Sequence, residues 1–251
     1  MKARFTSILH RDSRRGMTDL TTAKTTAGSP DIASWSDPFA LFASWHADAK
    51  RQHAESASAM TLSTVDGFGR PAARIVQLRS FPSKLGEMVA QTETGPEVEL
   101  RGFAFGTNTG SAKAEQLARV PFASLTLLWF HADGVPREVR VDGPVVTASD
   151  AQCDAAFARR RRDAQVGEWV SQRMGSAIAD AVQAEADRVQ VLQSFADESL
   201  PVPRPPFWKL YHVIPDRMEF WEARVGALND RVLFTRATDS ANAWISQRLM
   251  T

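Results

Sequence analysis

The stretch AMTLSTVDGFGRPAARIVQLR, Ala59–Arg79, decides how the rest of the chain is read. Thr61 to Val65 alternates and is rich in Thr and Val. Asp66-Gly67-Phe68-Gly69 supplies residues that tolerate positive φ, and Pro71 to Leu78 resumes the extended pattern. This is the pattern of a β-hairpin. Its return strand carries two guanidinium groups, Arg74 and Arg79, among apolar neighbours. Stranding a buried charge by removing its partner costs on the order of 3 to 5 kcal/mol, so each arginine calls for an anion. A bound phosphate would serve, as would carboxylates in the wall of the sheet. Five residues apart, the two arginines fall on opposite faces of an ideal strand. A bulge, or a ligand wrapping the strand end, is needed for both to reach one molecule.

Outward from the hairpin, Asp37-Pro38 opens a helix whose Phe39, Phe42, Trp45 and Ala49 share a core-facing side. Met1 to residue 35 is rich in Ser, Thr, Lys and Arg without clean hydrophobic periodicity. A mobile tail is expected there, and an organelle transit peptide is the alternative. Pro82 to Glu99, with Gly86 and Gly95-Pro96, reads as an insertion forming an extended hairpin or a lid. Leu100 to Thr107 returns as a strand, and Thr107-Asn108-Thr109-Gly110-Ser111 leads into a short helix carrying Ala112, Lys113 and Leu117. Free N–H groups at a helix start, a hydroxyl and a nearby ammonium make an anion site.

Pro121 to His131 and Arg137 to Thr147 form the next strand pair around Ala132-Asp133-Gly134-Val135. Ser149-Asp150-Ala151-Gln152 is a capping box that starts a helix ending in the basic run Arg159 to Arg162. One of those four arginines is expected to face a ligand and the others to be solvated. Helices over Asp163–Ser171 and Ile178–Ala196 and the extended Pro201–Pro206 connector lead to strands near Trp208–Ile214, Arg217–Trp221, Val232–Arg236 and Ala243–Arg248. Many short antiparallel strands with a few packing helices predict a mainly β, α+β chain closed as a Greek-key barrel, in one domain from residue 36 to 251.

The balance of 30 basic and 29 acidic residues leaves a net charge of +1, so no overall field favours nucleic acid or an anionic membrane. Cys153 is the only cysteine, which excludes an intramolecular disulfide and suits a reducing, cytoplasmic setting. None of the five histidines falls at HxxxH or HExxH spacing, and no metal site is expected. No apolar run approaches the roughly 20 residues that span a bilayer.

The R-I-V-Q-L-R strand after its D-G-x-G-R-P turn resembles the flavin-binding strand of the pyridoxamine 5′-phosphate oxidase family, which includes flavin oxidases of phenazine biosynthesis. GFAFGTNTGSAK, RRRRDAQVGEWVS, PVPRPPFW, MEFW and LNDR extend the likeness from about Ser36 to the C-terminus. The resemblance implies an FMN-binding split β-barrel, a homodimer closed by the C-terminal strands, with flavin at the subunit interface. It implies cofactor contacts from Arg74, Ile75, Val76, Gln77, Leu78, Arg79, Gly106, Thr107, Ser111, Lys113, Glu138, Arg173, Trp221 and Arg231. Arg79 stands where a lysine is expected near ring and substrate, and is the one residue nominated as catalytic.

The chain also departs from the family pattern. Ala112 replaces an arginine, Glu138 a glutamine, and Arg173 and Met174 replace a glutamine and a serine; Glu138 and Arg173 are expected to pair. Where the vitamin-forming oxidases hold substrate with tyrosine, arginine, serine and Arg-Leu-His, this chain has Ala156, Arg160, Ala164 and Ala227-Leu228-Asn229. Arg79, Arg160 and Asn229 remain as substrate contacts. The expectation is an FMN-dependent oxidoreductase that passes hydride from a small, cyclic metabolite to flavin, with dioxygen as acceptor. An authentic pyridoxine/pyridoxamine 5′-phosphate oxidase and a non-catalytic flavin- or ligand-binding module are the alternatives.

Overall fold

The computed structural model describes residues 31–54, 56–81, 89–90, 98–99, 101–131, 134–173, 175, 177–224, 228–238 and 243–251. The leader, most of the 82–99 insertion, Ala132, Asp133, Met174 and Ala227 lie outside the described residues. A 3-10 turn at Ile32–Ser34 precedes α1 (Pro38–His53), capped by the Asp37 carboxylate accepting from the Phe39 N–H at 3.0 Å. The hairpin follows as β1 (Ala59–Val65) and β2 (Pro71–Gln77), paired from Ala59–Gln77 to Val65–Pro71, with Gly69 at φ +80° in the turn. In the insertion, β3 (Val89–Ala90) pairs with β4 (Val98–Glu99), as a hairpin requires.

Next come β5 (Phe103–Asn108), α2 (Ala112–Arg119), β6 (Phe122–Phe130), β7 (Pro136–Thr147), α3 (Asp150–Ala158), α4 (Arg162–Val170) and α5 (Ala181–Ser194). The chain ends in β8 (Trp208–Val213), β9 (Arg217–Glu222), β10 (Asp230–Arg236) and β11 (Trp244–Arg248). The antiparallel order is β11-β10-β9-β7-β6-β1-β2, with β8 joining β5 to β7. β7 makes the corner: residues 137–142 pair with β9 and residues 145–147 with β8. At the switch a Cβ on Gly143 would lie 1.9 Å from the Ile214 carbonyl oxygen, so only glycine lets the two backbones approach. The Ser80–Ala104 bridge ties the end of β2 to β5 and closes the barrel.

The barrel interior holds Phe39, Phe42, Phe103, Phe105, Phe220 and Phe234, each worth roughly 1.5–3 kcal/mol on full burial. Ile32 is buried and Trp35 packs on this core, so the packed chain begins ahead of residue 36. A second cluster, of Cys153, Phe157, Val166, Trp208 and Leu210, fastens α3 and α4 over β8 and builds one wall of the site. α5 buries none of its residues: Val182 is 80% exposed and Leu192 40%. The carbonyls of the segment that follows it are gathered by Arg162, which donates to Phe195, Asp197 and Leu200 at 2.7–2.9 Å.

Candidate active site

The hairpin and the start of α2 bring the sequence-predicted anion ligands together. Arg74 faces inward opposite Leu62 and reaches the α2 side of the barrel. Its guanidinium donates to the Leu62 carbonyl (3.1 Å), Thr64 Oγ1 (2.6 Å) and Gln116 Oε1 (3.0 Å), all neutral acceptors. Lys113 Nζ donates to Thr107 Oγ1 at 3.1 Å, and Thr107 Oγ1 lies 3.3 Å from Ser111 Oγ, both hydroxyls buried. Ser111 caps α2 by position only, with no side-chain cap bond, which leaves the first N–H groups of the helix open to an anion.

Burial pushes the Arg74 guanidinium below its ordinary range. Lys113 is lowered by burial and then by the Arg74 charge, against a raising pull from Glu168. Arg79 is lowered by burial and by Arg160, again against Glu168. Glu168 thus bears on Lys113 and Arg79 and is ion-paired with Arg160, while the Arg74 charge acts on Lys113, so cations outnumber the carboxylate. This excess of positive charge fits a phosphorylated ligand.

Between Arg74 and Arg79 the strand ends rather than bulges. Leu78 N–H still bonds to Ser58 of the β1 side, but Arg79 N–H donates to the Ala104 carbonyl at 2.7 Å. The chain changes partner between the two residues, and alternation is reset. Val76 and Leu78 spend their side chains in the core, while Ile75 and Gln77 are exposed. β2 is last in the strand order, so among the described residues its outer backbone edge has no strand partner along residues 75–77. Gly106 has a packing reason: the Trp208 indole lies where its Cβ would be, 2.3 Å from Cζ2.

Arg79 and Arg160 line a cavity of about 330 Å³ with Ser80, Ala156, Ala164, Trp208 and Leu210. Arg159 and Arg161 also line it, so three of the four consecutive arginines reach the cavity where one was expected. The α3–α4 junction explains this: the chain turns between Ala158 and Arg162 directly over the opening. Arg160 sits at ring-centroid distances of 5.7 Å from Phe157 and 5.5 Å from Trp208, with Nη1 2.6 Å from Glu168. Sequence reasoning missed Glu168; the signal was a lone acid between the apolar Val166 and Trp169 on a helix beginning in a basic run.

Glu138, Trp221 and Arg231 do not join this cluster. Glu138 is opposite Trp221, and Trp221 opposite Arg231, so the three side chains form one row across β7, β9 and β10. Their sequence neighbours Val139, Phe220 and Val232 are fully buried, which puts the row on the outer face of the barrel. Arg231 is held by Glu219 at 2.7 Å, and Glu138 is engaged by Arg140 at 3.0 Å. The expected partner, the Arg173 side chain, lies outside the described residues. Asn229 accepts the Arg224 N–H at the β9–β10 turn, also away from the cavity. Arg74 and the outer row lie on opposite faces of one sheet, so a ligand touching both has to lie between two copies of the chain.

The fold and this basic groove define a split-barrel protein suited to a phosphorylated ligand. The family described as Pyridoxamine 5′-phosphate oxidase matches residues 47–193, and its C-terminal dimerisation region matches residues 208–251. The chain belongs to the pyridoxamine 5′-phosphate oxidase family. It is 36% identical over 228 residues to a pyridoxine/pyridoxamine 5′-phosphate oxidase of Caulobacter vibrioides, covering 89% of each chain. A protein of the same description from Azorhizobium caulinodans is 38% identical over 221 residues, covering 88% of this chain and 93% of its own. Among solved structures, PhzG from Burkholderia lata, in complex with tetrahydrophenazine-1-carboxylic acid, superposes with a TM-score of 0.67 at 22% identity, covering 87% of this chain and 94% of its own. A pyridoxamine 5′-phosphate oxidase-related, FMN-binding protein from Nostoc punctiforme gives 0.64 at 18% identity, covering 87% and 100%. At such identities these two show the shared fold.

Proposed function

We propose that the chain is a homodimeric, FMN-dependent oxidoreductase acting on a small, cyclic, anionic metabolite. The observation that carries the reading is the cationic groove whose innermost guanidinium, Arg74, has only neutral partners and opens through Lys113 and Arg79 onto the arginine-lined cavity. When bound, FMN supplies a hydride acceptor at N5 that dioxygen can reoxidise. Arg74, Lys113, Thr107 and Ser111 would hold the phosphate, with the open N–H groups of α2. The backbone edge at residues 75–77 would be available to the ring, with Glu138, Trp221 and Arg231 contributed by the second copy.

Arg79 places fixed positive charge between the phosphate groove and the cavity, where negative charge accumulates on reduction. Arg159 and Arg160 fix the substrate's anionic group, and Trp208 and Leu210 pack its ring. Among the described residues, the cavity lining includes no histidine and no carboxylate. A substrate whose C–H or N–H bond is activated by its own ring would need little acid–base help beyond these arginines.

A second reading, an authentic pyridoxine/pyridoxamine 5′-phosphate oxidase, is favoured by relatives of that description at 36–38% identity. Against it stand Ala156 and Ala164, which offer no hydrogen bond where the pattern has tyrosine and serine. The visible spectrum of the purified protein, with FMN titration if it is colourless, tests the shared part of both readings. Failure to bind FMN refutes both and leaves a ligand-binding module. With FMN bound, rapid flavin bleaching by pyridoxine 5′-phosphate without oxygen selects the second reading; no bleaching, with bleaching by a cyclic carboxylate, selects the first.

A further inference from the structure

Glu168 is a carboxylate whose charge bears on both the phosphate groove and the cavity. It sits on α4, largely buried, with its Oε1 2.6 Å from Arg160 Nη1. Its charge also bears on Arg79 and Lys113, raising both against burial. Arg160 is itself nine-tenths buried and lines the cavity, yet neither its Nε nor its Nη1 makes a hydrogen bond among the described residues, and Nη1 meets Glu168 as an ion pair. Its Nη2 reaches the Ala164 carbonyl at 3.2 Å. Glu168 therefore offsets the Arg160 charge without satisfying its donors.

The charges around the cavity divide accordingly. Arg161 is paired with Asp163 at 2.8 Å and Arg160 with Glu168, whereas Arg79 and Arg159 have no carboxylate partner among the described residues. A phosphate monoester, carrying close to two charges, would feel the repulsion of the nearby Glu168 carboxylate, itself ion-paired with Arg160, twice as strongly as a single charge would. A carboxylate ligand, with one charge and a planar pair of oxygens that suits a guanidinium edge, meets half that repulsion.

We propose that Glu168 is a specificity-determining residue that tempers the cavity's response to substrate charge, reducing its bias towards a phosphate monoester relative to a singly charged carboxylate. It does so by pairing with Arg160 and lowering the positive potential of the cavity. The inference rests on the proposed function in taking this cavity as the substrate site, and deepens it by naming the residue that tunes the accepted charge. Removing the Glu168 charge adds one unit of positive potential, and a dianion gains twice the interaction energy of a monoanion. Phenyl phosphate should therefore gain on the order of tenfold more affinity than benzoate.

The test uses these two ligands because neither gives up hydride. Their dissociation constants are measured at pH 8 by calorimetry, and by the shift they cause in the bound-flavin spectrum, on the FMN-loaded protein and its E168Q and E168D variants. E168D is expected to keep the wild-type benzoate-to-phenyl phosphate ratio, and E168Q to move it about tenfold towards the phosphate. An unchanged ratio in E168Q overturns the inference. So does equal weakening of both ligands, which would make Glu168 a support for Arg160 alone, and so does failure of both ligands to bind the wild type. If the protein takes up no FMN, the proposed function fails, while the calorimetric ratio on the colourless protein still decides the role of Glu168.

Discussion

Replacing Arg74 by methionine should weaken FMN binding strongly while leaving the cofactor-free fold almost untouched. Arg74 makes three hydrogen bonds, all to neutral acceptors, and has no carboxylate to leave stranded. Gln116 Oε1 keeps the Thr64 hydroxyl at 2.6 Å, so no buried acceptor is orphaned. The lost bonds are offset by the end of a desolvation cost and of the repulsion from Lys113. The unfolding free energy without FMN should stay within about 1 kcal/mol of wild type. A hydrogen bond to a charged group is worth about 1.5–3 kcal/mol, which at 1.4 kcal/mol per decade corresponds to roughly 10- to 150-fold in Kd. Urea unfolding of the FMN-free protein gives the first quantity and fluorescence titration with FMN the second. If cofactor-free stability falls as far as the binding energy, Arg74 is a structural residue and the argument from its neutral partners is refuted.

Gly106→Ala should cost about 1–3 kcal/mol in urea unfolding, because the new Cβ meets the fully buried Trp208 ring; an unchanged midpoint would show that the ring can move aside. His212 is buried with both ring nitrogens unpartnered among the described residues, and burial holds its pKa at about 4 against 6.5 unfolded. The folded state therefore binds fewer protons than the unfolded state between those values, and stability present above pH 6.5 is lost on acidification, about 2 kcal/mol of it by pH 5. His46, also lowered to about 4 by burial, adds to the loss. His212→Leu should flatten the decline between pH 7 and 5 and cost little at pH 7; an equally steep profile would rule His212 out as its source. Ile75→Glu, on the exposed outer face beside the open edge of β2, should give a monomer by light scattering and lose FMN, since the two half-sites would separate; a dimer with wild-type FMN affinity would place the interface elsewhere.

Much of the architecture was legible in the chain because it is locally encoded. The Asp37-Pro38 helix start, the Ser149–Gln152 capping box and the glycine turn after Val65 each depend on residues only a few positions apart, and each forms as read. The Ala59–Arg79 hairpin and the loop before Lys113 likewise carry in their own residues the arginine, hydroxyl and ammonium groups that the structure brings together. That Arg79 reaches the cavity depended instead on a change of strand partner after Leu78, made by β5, a strand that follows an insertion. The turn between α3 and α4 put three arginines at the opening, a matter of helix packing on Trp208 that a run of like charges does not reveal. Glu168 acquired its importance only when α4 laid it against Arg160. Alternation along the strands placed Glu138, Trp221 and Arg231 on one row, but only the closed sheet put that row on the face opposite Arg74. Local chemistry is written in the order of residues; which charges meet, and on which side of a barrel, is decided by contacts between segments far apart in the chain.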